Sequence, residues 1–207
     1  MPEEFVSRTI ELPSGEIHLL QPRESAEIPD DGEVEFAPVA PYWSVVWRSG
    51  VALAREVDRA ALRGRRIVEL GCGLALPSIA AARAGAEVLA TDSSDEALAL
   101  ATRNARANGV RIETMWVDWN GAAELVAWAP FDLALASDVL YERANVATLL
   151  SLLPRLAPET WLADPHRSTA QRFMELAPSR WGVETTTRGV VDIHRLRLSG
   201  ADPSAQA

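Results

Sequence analysis

The feature that most constrains this chain is an alternation of short apolar runs with helical stretches, sustained from residue 66 to residue 177. Residues 66–70 read as a buried-type strand, and 87–92, 111–118, 131–138 and 160–164 as further strands. Each is followed by a helical pattern, at 76–84, 95–108, 121–128, 143–156 and 168–177. Repeated strand–helix units dictate an α/β class: a doubly wound, mostly parallel sheet with helices on both sides. The tail changes character. Residues 183–191 and 192–200 read as two strands with no helix between them, which predicts an antiparallel strand pair at the C-terminal edge. Upstream, residues 5–21 read as a β-hairpin about Pro13-Ser14-Gly15, residues 22–38 as an acidic, proline-containing linker or cap, and residues 43–57 as an amphipathic helix. The expected organisation is an N-terminal hairpin and linker over 1–40, one α/β domain over 41–199, and a disordered tail over 200–207.

A chain of 207 residues with 48% hydrophobic and 24% charged residues suits one such domain. The net charge of −9 lacks the basic footprint that nucleic acid requires, so no nucleic-acid partner is expected. All 20 basic residues are arginine; composition of that kind is too weak a warrant for function. Cys72 stands alone, which excludes an intrachain disulfide, and the three histidines (His18, His166, His194) have no zinc spacing, so no metal site is expected. The sequence has no 18-residue apolar run and no targeting pattern at its start. The expectation is a cytoplasmic protein in a reducing compartment, without a membrane partner.

In open α/β sheets, ligands bind beyond the carboxyl ends of the strands. The first strand runs into Glu69-Leu70-Gly71-Cys72-Gly73-Leu74-Ala75, a loop whose glycines allow a close backbone approach. An acid ahead of the loop disfavours a phosphate and suits a cationic cofactor such as S-adenosyl-L-methionine, which carries a sulfonium and an ammonium. Asp92 ends the second strand 23 positions after Glu69, close to the spacing of about 20 for an acid that binds a ribose diol. Asp118 and Trp119 end the third and offer an adenine partner and a stacking ring. Ser137-Asp138, followed by Tyr141, end the fourth. Four acids in register at four strand ends are more than scattered helix caps. Cys72 reads as a small residue in a tight turn.

Several motifs then align with one family: Pro41-Tyr42-Trp43 with Trp47, Val68 to Pro77 around the glycines, Ala90-Thr91-Asp92, Asn104 and Asn108, Asp118-Trp119, and Asp138-Val139-Leu140-Tyr141. Together they resemble the seven-β-strand S-adenosylmethionine-dependent methyltransferases, and within them the branch of protein-lysine methyltransferases. Ala163-Asp164-Pro165-His166-Arg167 resembles an Asp-Pro-Gly-Arg stretch of the electron-transfer-flavoprotein β-subunit lysine methyltransferase and its bacterial relatives, with His166 in place of Gly. The resemblance implies a Rossmann-like, seven-stranded sheet with its last strand antiparallel. It implies that Glu69, Gly71 and Gly73 line the methionine part of the cofactor. Asp92 with Ser93 would hold the ribose, Asp118 and Trp119 the adenine, and Trp43 and Ser137 would complete the pocket. Asp138 and Tyr141 would face the acceptor as the catalytic pair. The implied function is methyl transfer to lysine side chains of a protein, leaving S-adenosyl-L-homocysteine. The alternatives are a small-molecule N- or O-methyltransferase and a catalytically silent cofactor-binding module.

Overall fold

The computed structural model describes residues 5–26 and 41–200. Most of the expected linker or cap, and the expected tail beyond residue 200, lie outside the described residues. The hairpin is formed by β1 (Phe5–Leu12) and β2 (Gly15–Pro22), followed by a single turn of helix, α1 (Arg23–Ala26). After a 3₁₀ turn at Tyr42–Ser44 come α2 (Arg48–Asp58), β3 (Arg66–Leu70), α3 (Leu76–Arg83), β4 (Glu87–Asp92) and α4 (Asp95–Ala107). Then follow β5 (Glu113–Trp116), α5 (Ala123–Trp128), β6 (Leu133–Ser137), α6 (Arg143–Leu156), β7 (Glu159–Asp164), α7 (Ser168–Leu176), β8 (Trp181–Arg188) and β9 (Val191–Leu198).

The strands from β3 onward form one seven-stranded sheet in the order β5-β4-β3-β6-β7-β9-β8. The chain winds outward from β3 in one direction and from β6 in the other, so the two halves part at the β3/β6 boundary, where a crevice opens beyond the carboxyl ends. Alternate residues of the central strands face opposite layers. Ile67, Leu133, Leu135 and Trp161 share one core with α2, α3 and the hairpin's Ile17 and Leu19. Val68, Leu70, Ala134, Ala136 and Leu162 share the other with α6 and α7. Burial on both faces is why these strands carry unbroken apolar runs.

Two differences from the sequence expectation bear on the site. The last strand is antiparallel to its neighbours, as expected, but it lies one place in from the edge: β9 pairs with both β7 and β8, and β8 is the border strand. This brings the β8–β9 turn beside the carboxyl end of β7. The helix expected over 43–57 begins only at Arg48. Trp47 is extended (ψ 142) and its indole N–H donates to the Tyr42 carbonyl at 3.0 Å, so Trp43 and Trp47 do not share a helical face. Apolar spacing alone does not distinguish a helix from a tight turn that buries Val45 and Val46.

The hairpin is fastened by two asparagines one turn apart, Asn104 in α4 and Asn108 at its C-cap. The Asn104 amide accepts from the Leu20 N–H at 2.8 Å and donates to the carbonyls of Leu20 and Leu74 at 3.3 Å. Asn108 accepts from the His18 N–H at 2.9 Å and donates to its carbonyl at 2.7 Å. Side-chain amides thus supply the donors and acceptors that β2's outer edge requires.

Candidate active site

The loop after β3 is shaped by its contact with the strap of residues 41–47. Gly73 has φ 49, and a Cβ there would fall 2.6 Å from the Trp43 carbonyl oxygen. Only glycine lets the two backbones touch at this point. Asp92, at the end of β4, is buried and grips the same residue: one carboxylate oxygen accepts from the Gly73 N–H at 2.9 Å, the other from the Ser94 N–H at 3.1 Å. Burial raises its pKa above the ordinary carboxylate value. Each oxygen still has a lone pair for a further donor, such as a ribose hydroxyl. Ser93, the next residue, is exposed, and its carbonyl accepts from the Trp116 indole N–H at 2.8 Å.

Glu69 lies beneath the loop and is fully buried. One of its oxygens accepts the backbone N–H of Ser78 at 2.9 Å and the Ser78 hydroxyl, tying β3 to the first turn of α3. Its other oxygen is buried without a partner. Burial pushes its pKa up to about 8. Glu69 therefore supports the loop and the helix start from inside the domain.

After β5, the Trp119 ring lies over Gly71, 3.3 Å from where a Cβ would stand, beside Val139. Asp118 is exposed and accepts from the Asn120 backbone N–H at 2.9 Å. β5 ends at Trp116, two residues short of Asp118, so this acid belongs to the following turn rather than to the strand.

On the other side of the crevice, Ser137 is half-buried with its hydroxyl toward Gly50 of α2. Asp138 is buried and left-handed (φ 59), and its N–H donates to the Ala163 carbonyl at 2.9 Å. Its carboxylate does not cap α6, whose N-cap is Glu142. It accepts instead from Arg167 Nε at 2.6 Å, with the Ser49 hydroxyl 3.4 Å from its second oxygen. Arg167 in turn donates its backbone N–H to Asp164 at 2.6 Å. Asp164 is 1% exposed with one oxygen unpartnered, and burial pushes its pKa up to about 6. His166, left-handed at φ 69, pairs with Asp192 of β9 at 3.2 Å. That backbone accounts for the glycine in the resembled stretch: φ in this range suits Gly and strains other residues. Tyr141 is 52% exposed and faces Tyr42, with ring centroids 6.3 Å apart.

The structure thus gathers Trp43, Gly71, Gly73, Asp92 and Trp119 about one loop, and Asp138 and Tyr141 across from them. The sequence reading assigned no role to Arg167, Asp164, Ser49 or Tyr42. Arg167 and Asp164 lie in a quoted motif, but their link to Asp138 depends on β6 and β7 being neighbours, which no local spacing reports. Among the described residues, no group of three or more His, Cys, Asp or Glu is arranged to hold a metal ion.

Comparison with known proteins agrees with this arrangement. The profile of the family described as lysine methyltransferase matches residues 41–176, well over half of the chain. The histone-arginine methyltransferase METTL23 of Homo sapiens is 33% identical over 114 residues, covering 52% of this chain and 60% of the relative. The same protein of Xenopus laevis is 30% identical over 156 residues, covering 70% and 66%. The electron transfer flavoprotein beta subunit lysine methyltransferase of Danio rerio is 33% identical over 114 residues, covering 53% and 43%. The chain spans about half to two thirds of the length of the curated relatives it matches. Among solved structures, a Thermus thermophilus 16S rRNA methyltransferase in complex with AdoMet and guanosine superposes with a TM-score of 0.67 at 14% identity, covering 96% of this chain and 52% of that one. A magnesium protoporphyrin IX methyltransferase of Synechocystis PCC 6803 with bound SAH gives 0.57 at 18%, covering 73% and 81%. These likenesses establish the Rossmann-like methyltransferase fold. With the profile match across the strap, the glycine loop and the Asp138–Tyr141 turn, this chain belongs to the lysine methyltransferase family.

Proposed function

We propose that this protein is an S-adenosyl-L-methionine-dependent methyltransferase that N-methylates lysine side chains of a protein substrate. The observation that carries the cofactor class is the joint between Asp92 and Gly73 at 2.9 Å, seated against the Trp43 backbone. It sets an acid against the glycine loop, which suits a cation-bearing nucleoside better than a pyrophosphate. Gly71 and Gly73 would bound the methionine part, Asp92 the ribose, and Asp118 and Trp119 the adenine. Trp43 and Ser137 would close the pocket. Ser93 would contribute at the ribose edge.

When bound, this cofactor supplies an electrophilic methyl group on a sulfonium. The chain's contribution is alignment and exclusion of water. An acceptor lysine starts with a pKa of about 10.4 and must lose a proton before it attacks. Tyr141 and the Asp138–Arg167 pair would orient such an amine for attack. Relatives are named for arginine as well as lysine acceptors, and the acidic, aromatic character of this side suits a cation of either kind.

Purified protein incubated with methyl-labelled cofactor and fractionated lysate tests the reading. Label in a protein band, released as methyl-lysine on hydrolysis, is the expected result. Label released as methyl-arginine would move the acceptor class. Label in small metabolites alone would favour the small-molecule alternative. Calorimetry should show binding of S-adenosyl-L-methionine and S-adenosyl-L-homocysteine and none of NAD; NAD binding alone would overturn the cofactor assignment.

A further inference from the structure

Three aromatic side chains, Tyr141, Tyr42 and Trp47, stand in a row at the mouth of the crevice, and the cofactor reading uses none of them. Tyr42 is 44% exposed and Tyr141 52% exposed. Their ring centroids are 6.3 Å apart with planes tilted by 33°. Tyr42 continues to Trp47 at 6.4 Å and 37°. Water-facing aromatic rings this large ordinarily lie folded against a core. Here they are presented outward by a fixed backbone. The Trp47 indole N–H holds the Tyr42 carbonyl at 3.0 Å, and the next residue's carbonyl is lodged against Gly73. Tyr141 is set by the turn after Asp138, where Asn145 donates to the Val139 carbonyl at 2.9 Å. The strap and the turn, far apart in the chain, are brought together here, with the Tyr42 and Tyr141 rings facing each other.

Acids lie beside the row. The Tyr141 hydroxyl is pushed up by burial first, and then by the charges of Glu142, Asp92 and Asp138. Arg167 takes up the charge of Asp138 at 2.6 Å, which leaves Glu142 and Asp92 as the acids in play. An aromatic face beside acids attracts a cation that is large, weakly hydrated and partly apolar.

We infer that Tyr42, with Tyr141 and Trp47, forms an aromatic shelf that binds the methylated ammonium group of the acceptor side chain, and that Tyr42 is a specificity-determining residue. The inference deepens the proposed methyltransferase function and rests on it for the identity of the cation, while the binding itself is measurable without turnover. A methylammonium keeps its positive charge while losing N–H donors and gaining apolar surface. Ring faces gain relative to carboxylates as methyl groups accumulate, so the shelf would retain partly methylated lysine between transfers.

The test uses the full chain and two probes: Nα-acetyl-Nε-trimethyl-lysine amide, and its neutral isostere with carbon in place of the charged nitrogen. Binding is read by ring-proton NMR shifts of Tyr42 and Tyr141. The cationic probe should bind about two- to fivefold tighter than the isostere, the range for a cation over exposed rings. Tyr42→Phe should keep that ratio, and Tyr42→Leu should bring it close to one with cofactor affinity unchanged by calorimetry. Equal affinity for the two probes, or a Tyr42→Leu variant that discriminates like the parent, would overturn the shelf. A protein that discriminates the probes but binds no S-adenosyl-L-methionine would overturn the proposed function and leave the shelf standing.

Discussion

Asp138 is held in a left-handed backbone with its carboxylate against Arg167 at 2.6 Å and its N–H on the next strand. A buried carboxylate of this kind is costly without a cationic or hydrogen-bonding partner. On the proposed reading, Arg167 is therefore a positioning residue: it fixes the carboxylate of Asp138 while Asp164 fixes Arg167. Removing it leaves Asp138 buried and unpaired. Arg167→Ala should lower kcat by about tenfold to a thousandfold, the span seen when positioning or proton handling is lost. Cofactor affinity should hold, and Arg167→Lys should restore part of kcat, since a point charge replaces a directed Nε–H. Steady-state kinetics beside calorimetry on the same samples checks this. If apparent kcat and cofactor-binding stoichiometry fall together in proportion to folded fraction, with KM unchanged, Arg167 is merely structural.

At the scale of elements, two joints carry the site. The first is strap against loop. Gly73→Ala places a methyl 2.6 Å from the Trp43 carbonyl at φ 49, so the strap must move. Cofactor affinity should drop at least about tenfold, because a left-handed alanine alone costs about 1–2 kcal/mol before the clash is counted. Calorimetry showing parental affinity would mean the strap does not bound the pocket. The second joint is hairpin against α4. Asn104 is fully buried and bonds both β2 and the Leu74 carbonyl of the glycine loop. Asn104→Ala leaves those groups unpaired, so unfolding free energy should fall by about 2–3 kcal/mol in denaturant titration. A change within experimental error would place the hairpin's attachment elsewhere.

Across the whole molecule, burial sets a pH response. Glu69 is raised to about 8 and Asp164 to about 6, both above the values of free carboxyls. The folded state therefore holds protons that the unfolded chain has already released. The stability tied to that retention is complete below the free values and is lost as pH rises through about 6 and then about 8. His194, lowered by burial, acts in the opposite sense on the acid side of its free value of 6.5. The ligand-free protein should thus melt at a lower temperature near pH 8.5 than near pH 6.5, in the direction linkage requires. Glu69→Gln should flatten that slope while keeping the acceptor for Ser78. Scanning calorimetry at both pH values checks it; an equally steep slope in Glu69→Gln would reassign the proton.

The sheet was legible from the chain because its central strands are buried on both faces and write that burial as uninterrupted apolar runs, with β3 and β4 bounded as expected at 66–70 and 87–92. The glycine loop and Asp92 at the end of β4 were legible too, since tight turns and carboxyl ends leave local marks, whereas Asp118 falls in the turn after β5. What needed tertiary structure was everything formed by contact between distant segments. Trp43 and Trp47 looked helical because apolar spacing does not record the carbonyl–Gly73 contact that bends the strap. Asp138 looked free because its partner Arg167 is 29 residues away and arrives only when β6 and β7 lie side by side. Residue type and spacing marked roles for Gly73, Asp92 and Asp138 but not for Arg167, Ser49 or Tyr42. Strand order and backbone contact decided which of them are already paired in the crevice, because pairing is a property of neighbours in space and not of neighbours in the chain.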